Sequence, residues 1–383
     1  MKGKIVYCTP SLYIPGGIER VLTTKVNYFA DVLGYEIYII LTDGKGKEPY
    51  YPLSSNIHVI QLDINFEELW HLSFLKKTLA YLVKQRQFKK CLSNVLMEIK
   101  PDITISLLRR EINFITSIKD GSYKIGEMHV NREHYRNFET KNNFFKQLFA
   151  TIWQKQLIKS VKMLDKFITL TEDDKASWKE LNNIEVIPNP LASFCEEASV
   201  TKQKQVVAIG RFSYEKGFDL LIKTWKIINL KHPDWKLKIY GSGNKQNLIP
   251  IIKKAHLSTS VRVEDPISDI YKIYLESSLC VCSSRFEGFG MVLAEAMACG
   301  VPCVSFDCPH GPRNIISNTE DGLLAEDGNI QDLADKICFL IENENIRKEF
   351  GQKAAINIQR LSIEKIAQKW DCIFKSLIKH EEK

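Results

Sequence analysis

Short β-branched runs alternate with amphipathic helical stretches along this chain, and the alternation begins afresh past residue 199. KIVYCT, residues 4–9, is a predicted strand that ends in the Pro/Gly loop PSLYIPGG. Val21, Leu22, Val26, Phe29 and Leu33 then recur at helical spacing. YEIYIILT, ITISLL, YKIGEMH and KFITLT continue as short hydrophobic strands separated by helices. Such alternation predicts an α/β fold, a parallel sheet with helices on both faces. The segment VIPNPLASFCEEAS interrupts it: Pro188 and Pro190 bracket Asn189 and a polar stretch follows, as in an interdomain linker. QVVAIG, WKLKIYGSG, LCVCSS and PCVSFD then restart the strand series, with FDLLIKTWKII as a helix. Two halves that each open with a strand and a glycine loop predict paired Rossmann-like domains. The expected boundaries are 1–188 and 189–362, and a last helix at about 363–380 is free to pack back on the first domain. The 383 residues suit two domains of ordinary size.

With 44% hydrophobic and 26% charged residues, disordered and collagen-like classes drop out. No run reaches the roughly 18 apolar residues of a spanning helix, and MKGKIVYCTP reads as a first strand rather than a signal peptide. The expected location is therefore the cytoplasm. The ten cysteines lack paired C-x-x-C spacing with a histidine set, which argues for buried reduced thiols and against a disulfide framework or a metal.

The net charge of +7 is uneven: residues 1–190 hold 27 Lys and Arg against 21 Asp and Glu, and residues 191–383 hold 26 against 25. Part of the excess lies in residues 74–100, with seven basic residues and one Glu, and more in NNFFKQLFATIWQKQLIKSVKM, where Phe144, Phe145, Phe149 and Trp153 stand among lysines. Basic residues interleaved with bulky apolar ones fit an anionic bilayer surface on the inner face of the membrane. The plainer account is a pair of amphipathic helices with solvated basic edges. No nucleic-acid motif accompanies them, so nucleic acid is not an expected partner.

The chemistry concentrates in SSRFEGFGMVLAEAMACGVPCVS, residues 283–305. A strand ends near Ser283, a loop carries Glu287, Gly288, Phe289 and Gly290, and a helix is predicted from about Met291 to Ala298, stopped by Gly300 and Pro302. That helix is apolar on every side, hence buried, yet Glu295 stands in its middle. A buried carboxylate needs a partner: a ligand diol such as a ribose, a loop amide, or an arginine of the scaffold. Gly288 and Gly290 let backbone approach a ligand, and free N–H groups at a helix start attract phosphate.

Glu287 and Glu295, separated by seven residues within this setting, resemble the signature of glycosyltransferase family 4, retaining enzymes of the GT-B fold. IGRFSYEKGFDLLI resembles the family segment whose Arg and Lys bind the donor pyrophosphate, here Arg211 and Lys216. PGGIER resembles the glycine loop that meets the donor phosphate, here Gly16 and Gly17, and VIPNP and GPRNIISNTEDGLL resemble further family segments. The resemblance implies two Rossmann-like domains facing each other across a cleft. It implies a nucleoside diphosphate sugar donor, UDP-sugar favoured, with Glu295 on the ribose and Glu287 toward the donor sugar. Hexose or N-acetylhexosamine would pass to a glycan acceptor, lipid-linked or of lipopolysaccharide or capsule type. His129, in KIGEMHVNREHYR, is placed toward the reacting sugar, with His134 the competing histidine and a structural hydrogen-bonding role the plainer alternative.

Arg211, Lys216 and a helix N-terminus would stabilise the leaving diphosphate where a metal otherwise does. No Asp-x-Asp pair occurs in the chain, so neither cofactor nor metal is expected. Taken alone, Arg211 and Lys216 would read as a solvated loop edge. PGGIER could instead be half of a dinucleotide site with Asp43 as its acidic residue, but it lacks the G-x-G-x-x-G spacing. A nucleotide-sugar epimerase or hydrolase, and a non-catalytic nucleotide-sugar-binding protein at a membrane, stay open as other classes.

Overall fold

The computed structural model describes residues 2–133, 135, 144–195, 198–199, 201, 203–267 and 269–378, and gives the backbone alone for residues 74, 75, 144–150 and 152. The chain divides into two compact units, one of Met1–Ala192 with Ile363–Lys383 and one of Ser193–Ser362.

Unit 1 begins β1 (Lys4–Thr9), α1 (Gly17–Asp31), β2 (Glu36–Leu41), β3 (Ile57–Gln61) and α2 (Phe74–Ile99). It continues β4 (Ile103–Ser106), β5 (Tyr123–Glu127), α3 (Phe144–Lys162), β6 (Lys166–Thr169), α4 (Glu172–Ser177) and β7 (Ile184–Val186). The strands form one parallel sheet in the order β3-β2-β1-β4-β5-β6-β7. Ile5, Val6 and Tyr7 of β1 are fully buried, as a central strand covered on both faces requires. α1 packs with the face its spacing predicts: Val21, Leu22, Val26 and Phe29 are buried, and Leu33 lies beyond the helix end. Lys25 is buried too. It stands four residues from both Val21 and Phe29, on the apolar face rather than the solvated one.

Unit 2 runs β8 (Gln205–Ile209), α5 (Phe218–Lys231), β9 (Lys236–Tyr240), α6 (Ile249–Lys254), β10 (Val261–Glu264) and α7 (Ile270–Leu275). Then come β11 (Leu279–Cys282), α8 (Met291–Ala298), β12 (Cys303–Phe306), β13 (Gly322–Ala325), α9 (Ile330–Glu342) and α10 (Glu344–Asn357). Its sheet is parallel in the order β10-β9-β8-β11-β12-β13, the strand order of a nucleotide-binding Rossmann sheet. Leu221, Ile222, Trp225 and Ile228 of α5 join Leu333 and Ile337 of α9 in its core.

The last helix, α11 (Ile363–Ile378), belongs to unit 1. Phe374 meets Phe29 of α1 edge-on at 5.5 Å, and Tyr35 donates to Asp371 at 2.8 Å. Each aromatic pair is worth about 0.5–1.5 kcal/mol beyond its buried area.

Two expectations need correction. The strands β3, β7, β10 and β13 escaped the sequence reading. Three of them, β3, β7 and β10, carry polar or half-exposed residues typical of strands at or near a sheet edge. The thiols are not all reduced: Cys195 and Cys299 form a disulfide across 104 positions, with Cα atoms 5.0 Å apart. Tertiary packing, not local spacing, brings them within the narrow reach of such a bond.

Candidate active site

In an open parallel sheet, ligands bind at the carboxyl ends of the strands, where neighbouring connections leave in opposite directions. In unit 2 that point lies between β8 and β11. The loop after β8 carries Gly210 to Gly217 and the loop after β11 carries Ser283 to Gly290, so the predicted residues fall on the two sides of one crevice edge.

The two loops touch backbone to backbone. Gly217 has φ +61°, and a Cβ there would lie 2.0 Å from the Ser283 carbonyl oxygen. Ser283 Oγ donates to the Lys216 carbonyl at 2.9 Å, and the Arg285 N–H donates to the Glu215 carbonyl at 2.8 Å. The Arg285 guanidinium forks onto both oxygens of Asp219 at 2.9 and 2.8 Å, which fixes the start of α5 against the loop. So held, Lys216 Nζ donates to Glu287 Oε1 at 2.7 Å, and Ser284 Oγ donates to the same oxygen at 2.6 Å. Burial alone would lower the Lys216 pKa, but the Glu287 charge outweighs it and the ammonium form is favoured. The Cys282 thiol beneath is pushed up to about 11, first by burial and then by Glu287. Arg211 does not join this group: its side chain is 73% exposed and pairs with Glu215 at 3.1 Å.

α8 starts as its sequence predicts, at Met291. Gly290 precedes it with φ +96°, a conformation that favours glycine, and no side chain caps the helix. Its first N–H groups are thus left for an anion. Phe289 is buried and Gly288 half-buried. Glu295 is buried on α8, and Tyr274 of α7 donates to its Oε2 at 3.4 Å and to the Val292 carbonyl at 3.1 Å. Gly311, in the loop after β12, packs so close that a Cβ would meet Glu287 Cβ at 2.6 Å.

Ser284, Tyr274 and Gly311 were missed by sequence reasoning. Ser284 could have been found, since it sits three residues before Glu287 in the same loop. Gly311 opens the segment GPRNIISNTEDGLL, which the sequence reading noted without giving the glycine a role, and Tyr274 lies on a separate element and leaves no local signal.

In unit 1, Gly16 is the N-cap of α1 and no side chain caps it. Glu19 folds over Gly16, its Oε2 2.0 Å from where a Cβ would stand, while Gly17 has open space around it. Asp43, the acid of the dinucleotide alternative, accepts from the Glu67 N–H and Arg110 at 3.1 Å each and from Thr42 at 2.8 Å. Those bonds tie it to loops of its own unit. His129 follows β5 with its Nε2 3.2 Å from Glu127 Oε1; His134 lies outside the described residues. Among the described residues no three His, Cys, Asp or Glu side chains group to hold a metal ion.

Two Rossmann-like parallel sheets in one chain, the second with a charged pair and an uncapped helix start at its strand switch point, define the GT-B class. The chain is a transferase enzyme, a glycosyltransferase. Residues 193–356 match the model of glycosyl transferases group 1. The chain is 28% identical over 374 residues to an uncharacterized glycosyltransferase of Haemophilus influenzae, covering 96% of this chain and 98% of that one. It is 27% identical over 370 residues to the amylovoran biosynthesis glycosyltransferase AmsD of Erwinia amylovora, covering 94% and 95%. Among solved structures, sucrose-phosphate synthase from Thermosynechococcus elongatus superposes with a TM-score of 0.81 at 16% identity, covering 99% of this chain and all of that one. Staphylococcus aureus TarM superposes at 0.76 and 20% identity, covering 97% of this chain and 99% of that one.

Proposed function

We propose that this chain is a retaining glycosyltransferase of family 4. In this reading it moves a hexose or N-acetylhexosamine from a UDP-sugar to a glycan acceptor in polysaccharide assembly, lipid-linked or of lipopolysaccharide or capsule type. The observation that carries the reading is the contact of Lys216 with Glu287 at the switch point of unit 2, beside the uncapped start of α8. The ammonium and the helix N–H groups offer positive potential where the departing diphosphate gathers charge. Glu295 takes the donor ribose, Glu287 the donor sugar, Arg211 swings from its exposed pair with Glu215 onto the pyrophosphate, and Gly16 and Gly17 meet the donor phosphate. His129 serves the reacting sugar. The departing phosphate itself takes the acceptor proton on the front side, so no metal or cofactor is required.

Support for the donor and acceptor classes comes from what this chain resembles. A relative in Staphylococcus aureus, 32% identical over 258 residues, is a poly(ribitol-phosphate) alpha-N-acetylglucosaminyltransferase. The TarM structure holds UDP.

The same reading includes docking of unit 1 on an anionic inner membrane face. Leu79, Leu82 and Val83 are exposed on one side of α2, with Lys76 and Arg86 exposed at neighbouring helical positions. Trp70 and Leu72, just ahead of the helix, are exposed as well. No helix among the described residues is long and apolar enough to cross a membrane. The side chains of Phe144, Phe145 and Phe149 in the second basic stretch lie outside the description.

The test is a thermal-shift screen against UDP, GDP, ADP, dTDP and their sugars without metal, followed by NMR of the glycoside formed by the stabilising donor. Retention at the anomeric carbon supports the proposal. Inversion, or sugar release that no acceptor accelerates, overturns it.

A further inference from the structure

Three ionisable side chains are buried together in unit 1, and the donor and acceptor roles proposed above use only one of them. Lys25 of α1, Glu127 at the end of β5 and His129 just beyond it have side chains 1%, 2% and 4% exposed. Lys25 Nζ donates to Glu127 Oε1, and that same oxygen lies 3.2 Å from His129 Nε2. The Lys25 ammonium also stands 4.7 Å from the centre of the Trp370 ring of α11 and 5.7 Å from that of Tyr7. Four elements of the unit therefore converge on one charge. Burial alone would raise the Glu127 pKa; Lys25, then His129, bring it down to about 2, so the carboxylate is ionised.

Stability is a poor explanation for such a group. Desolvating an ammonium and a carboxylate costs about as much as their attraction returns, and apolar replacements of a buried pair are often neutral or better. Orientation is a better one. β5 ends at Glu127 and the chain bends just beyond it at His129, which brings the two side chains to 3.2 Å. Lys25 then restrains the carboxylate from the helix side. Nε2 faces the Glu127 carboxylate at 3.2 Å as an ion-pair contact, and both ring nitrogens are buried with no hydrogen-bond partner among the described residues, so Nδ1, on the side away from Glu127, is open to a ligand. A carboxylate that fixes an imidazole by one nitrogen leaves the other directed at the reacting group.

We propose that Lys25 and Glu127 are positioning residues for His129: Lys25 fixes the Glu127 carboxylate, the carboxylate fixes the Nε2 side of the imidazole, and Nδ1 is presented to the reacting sugar. This rests on the assignment of His129 to that sugar.

The experiment is a cycle of variants of the full chain: His129→Ala, the paired Lys25→Met and Glu127→Gln, and all three together. Melting temperature, kcat and donor KM are measured for each. The paired variant removes both buried charges at once and should melt close to wild type. Its kcat should fall roughly 10–100-fold, the scale of losing an orienting partner, while donor KM stays within about threefold. In the His129→Ala background the same two changes should cost less than about twofold, because their effect passes through the imidazole.

Wild-type kcat in the paired variant, or an equal loss in both backgrounds, makes the pair structural and overturns the proposal. If His129→Ala itself turns over like wild type, the assignment of His129 has failed and the proposal goes with it. A slow His129→Ala beside a normal paired variant sinks the positioning role alone. Should the paired variant not fold, Glu127→Gln alone takes its place, since an unpaired buried lysine can shed its proton. If neither folds, the group is a folding requirement and the proposal is wrong.

Discussion

Lys216 and Glu287, 71 positions apart, meet at 2.7 Å because Gly217 lets the loop after β8 rest on the loop after β11. Each side chain comes from one side of the strand switch point, where open parallel sheets of this order bind their ligands. Lys216→Met should lower kcat by about 10²–10³-fold, equivalent to about 2.7–4 kcal/mol for one preorganised donor at developing charge. Steady-state kinetics with the stabilising donor measure it. A fall of less than about threefold would leave Lys216 as a loop clamp only.

The two glutamates should separate by function. Glu295→Gln should weaken both the free nucleoside diphosphate and the nucleotide sugar, by about 1.5–3 kcal/mol for a hydrogen bond to a charged group. Glu287→Gln should leave diphosphate affinity nearly intact while turnover falls. Calorimetry with the diphosphate alone beside kinetics on each variant tells them apart. If Glu295→Gln binds the diphosphate like wild type, the carboxylate is only a hydrogen-bonding group of the core and the ribose assignment is wrong.

Activity should survive EDTA if, as proposed, Lys216 and the start of α8 supply the positive potential. Turnover abolished by EDTA and restored by manganese would contradict the metal-free proposal.

The exposed stripe of α2 gives a membrane test. Sedimentation with acidic vesicles should weaken as salt shortens the screening length to about 8 Å at physiological strength. It should weaken further in Leu79→Glu and Val83→Glu, both exposed positions whose change spares the core. Equal partitioning onto neutral and acidic vesicles would remove the anionic surface from the proposed function.

The buried charges of unit 1 predict an acid limb of stability. The Glu127 pKa is lowered from 4.5 to about 2. A depressed folded-state pKa contributes stability that is present above 4.5 and lost as pH falls toward 2. Between pH 5 and pH 3 the wild type should therefore lose more melting temperature than the paired Lys25→Met and Glu127→Gln variant, which lacks the titrating carboxylate. Parallel melting curves over that range test it; coincident slopes would mean that Glu127 does not stay ionised. Lys25→Met alone, which strands the carboxylate, should cost about 3–5 kcal/mol.

The class of fold and most of the candidate site of unit 2 were legible in the amino-acid order, because both depend on neighbours along the chain. Fully covered parallel strands need continuous apolar runs, and β1, β2, β4, β8, β11 and β12 carry them. Glu287 and Glu295 sit on one loop and the helix that follows, so the order of residues alone placed the first in a glycine loop and the second buried on α8. The rest was decided by packing between segments far apart in sequence. Nothing in the local pattern singled out Lys25, which the fold sets against Glu127, 102 positions away. Tyr274 reached Glu295 from another helix, Cys299 found Cys195 across 104 positions, and Arg211 turned to Glu215 instead of joining Lys216. Local pattern reports only which face of an element is apolar. Which two faces meet, and so which charge stands beside which, is set by the three-dimensional packing of the whole unit.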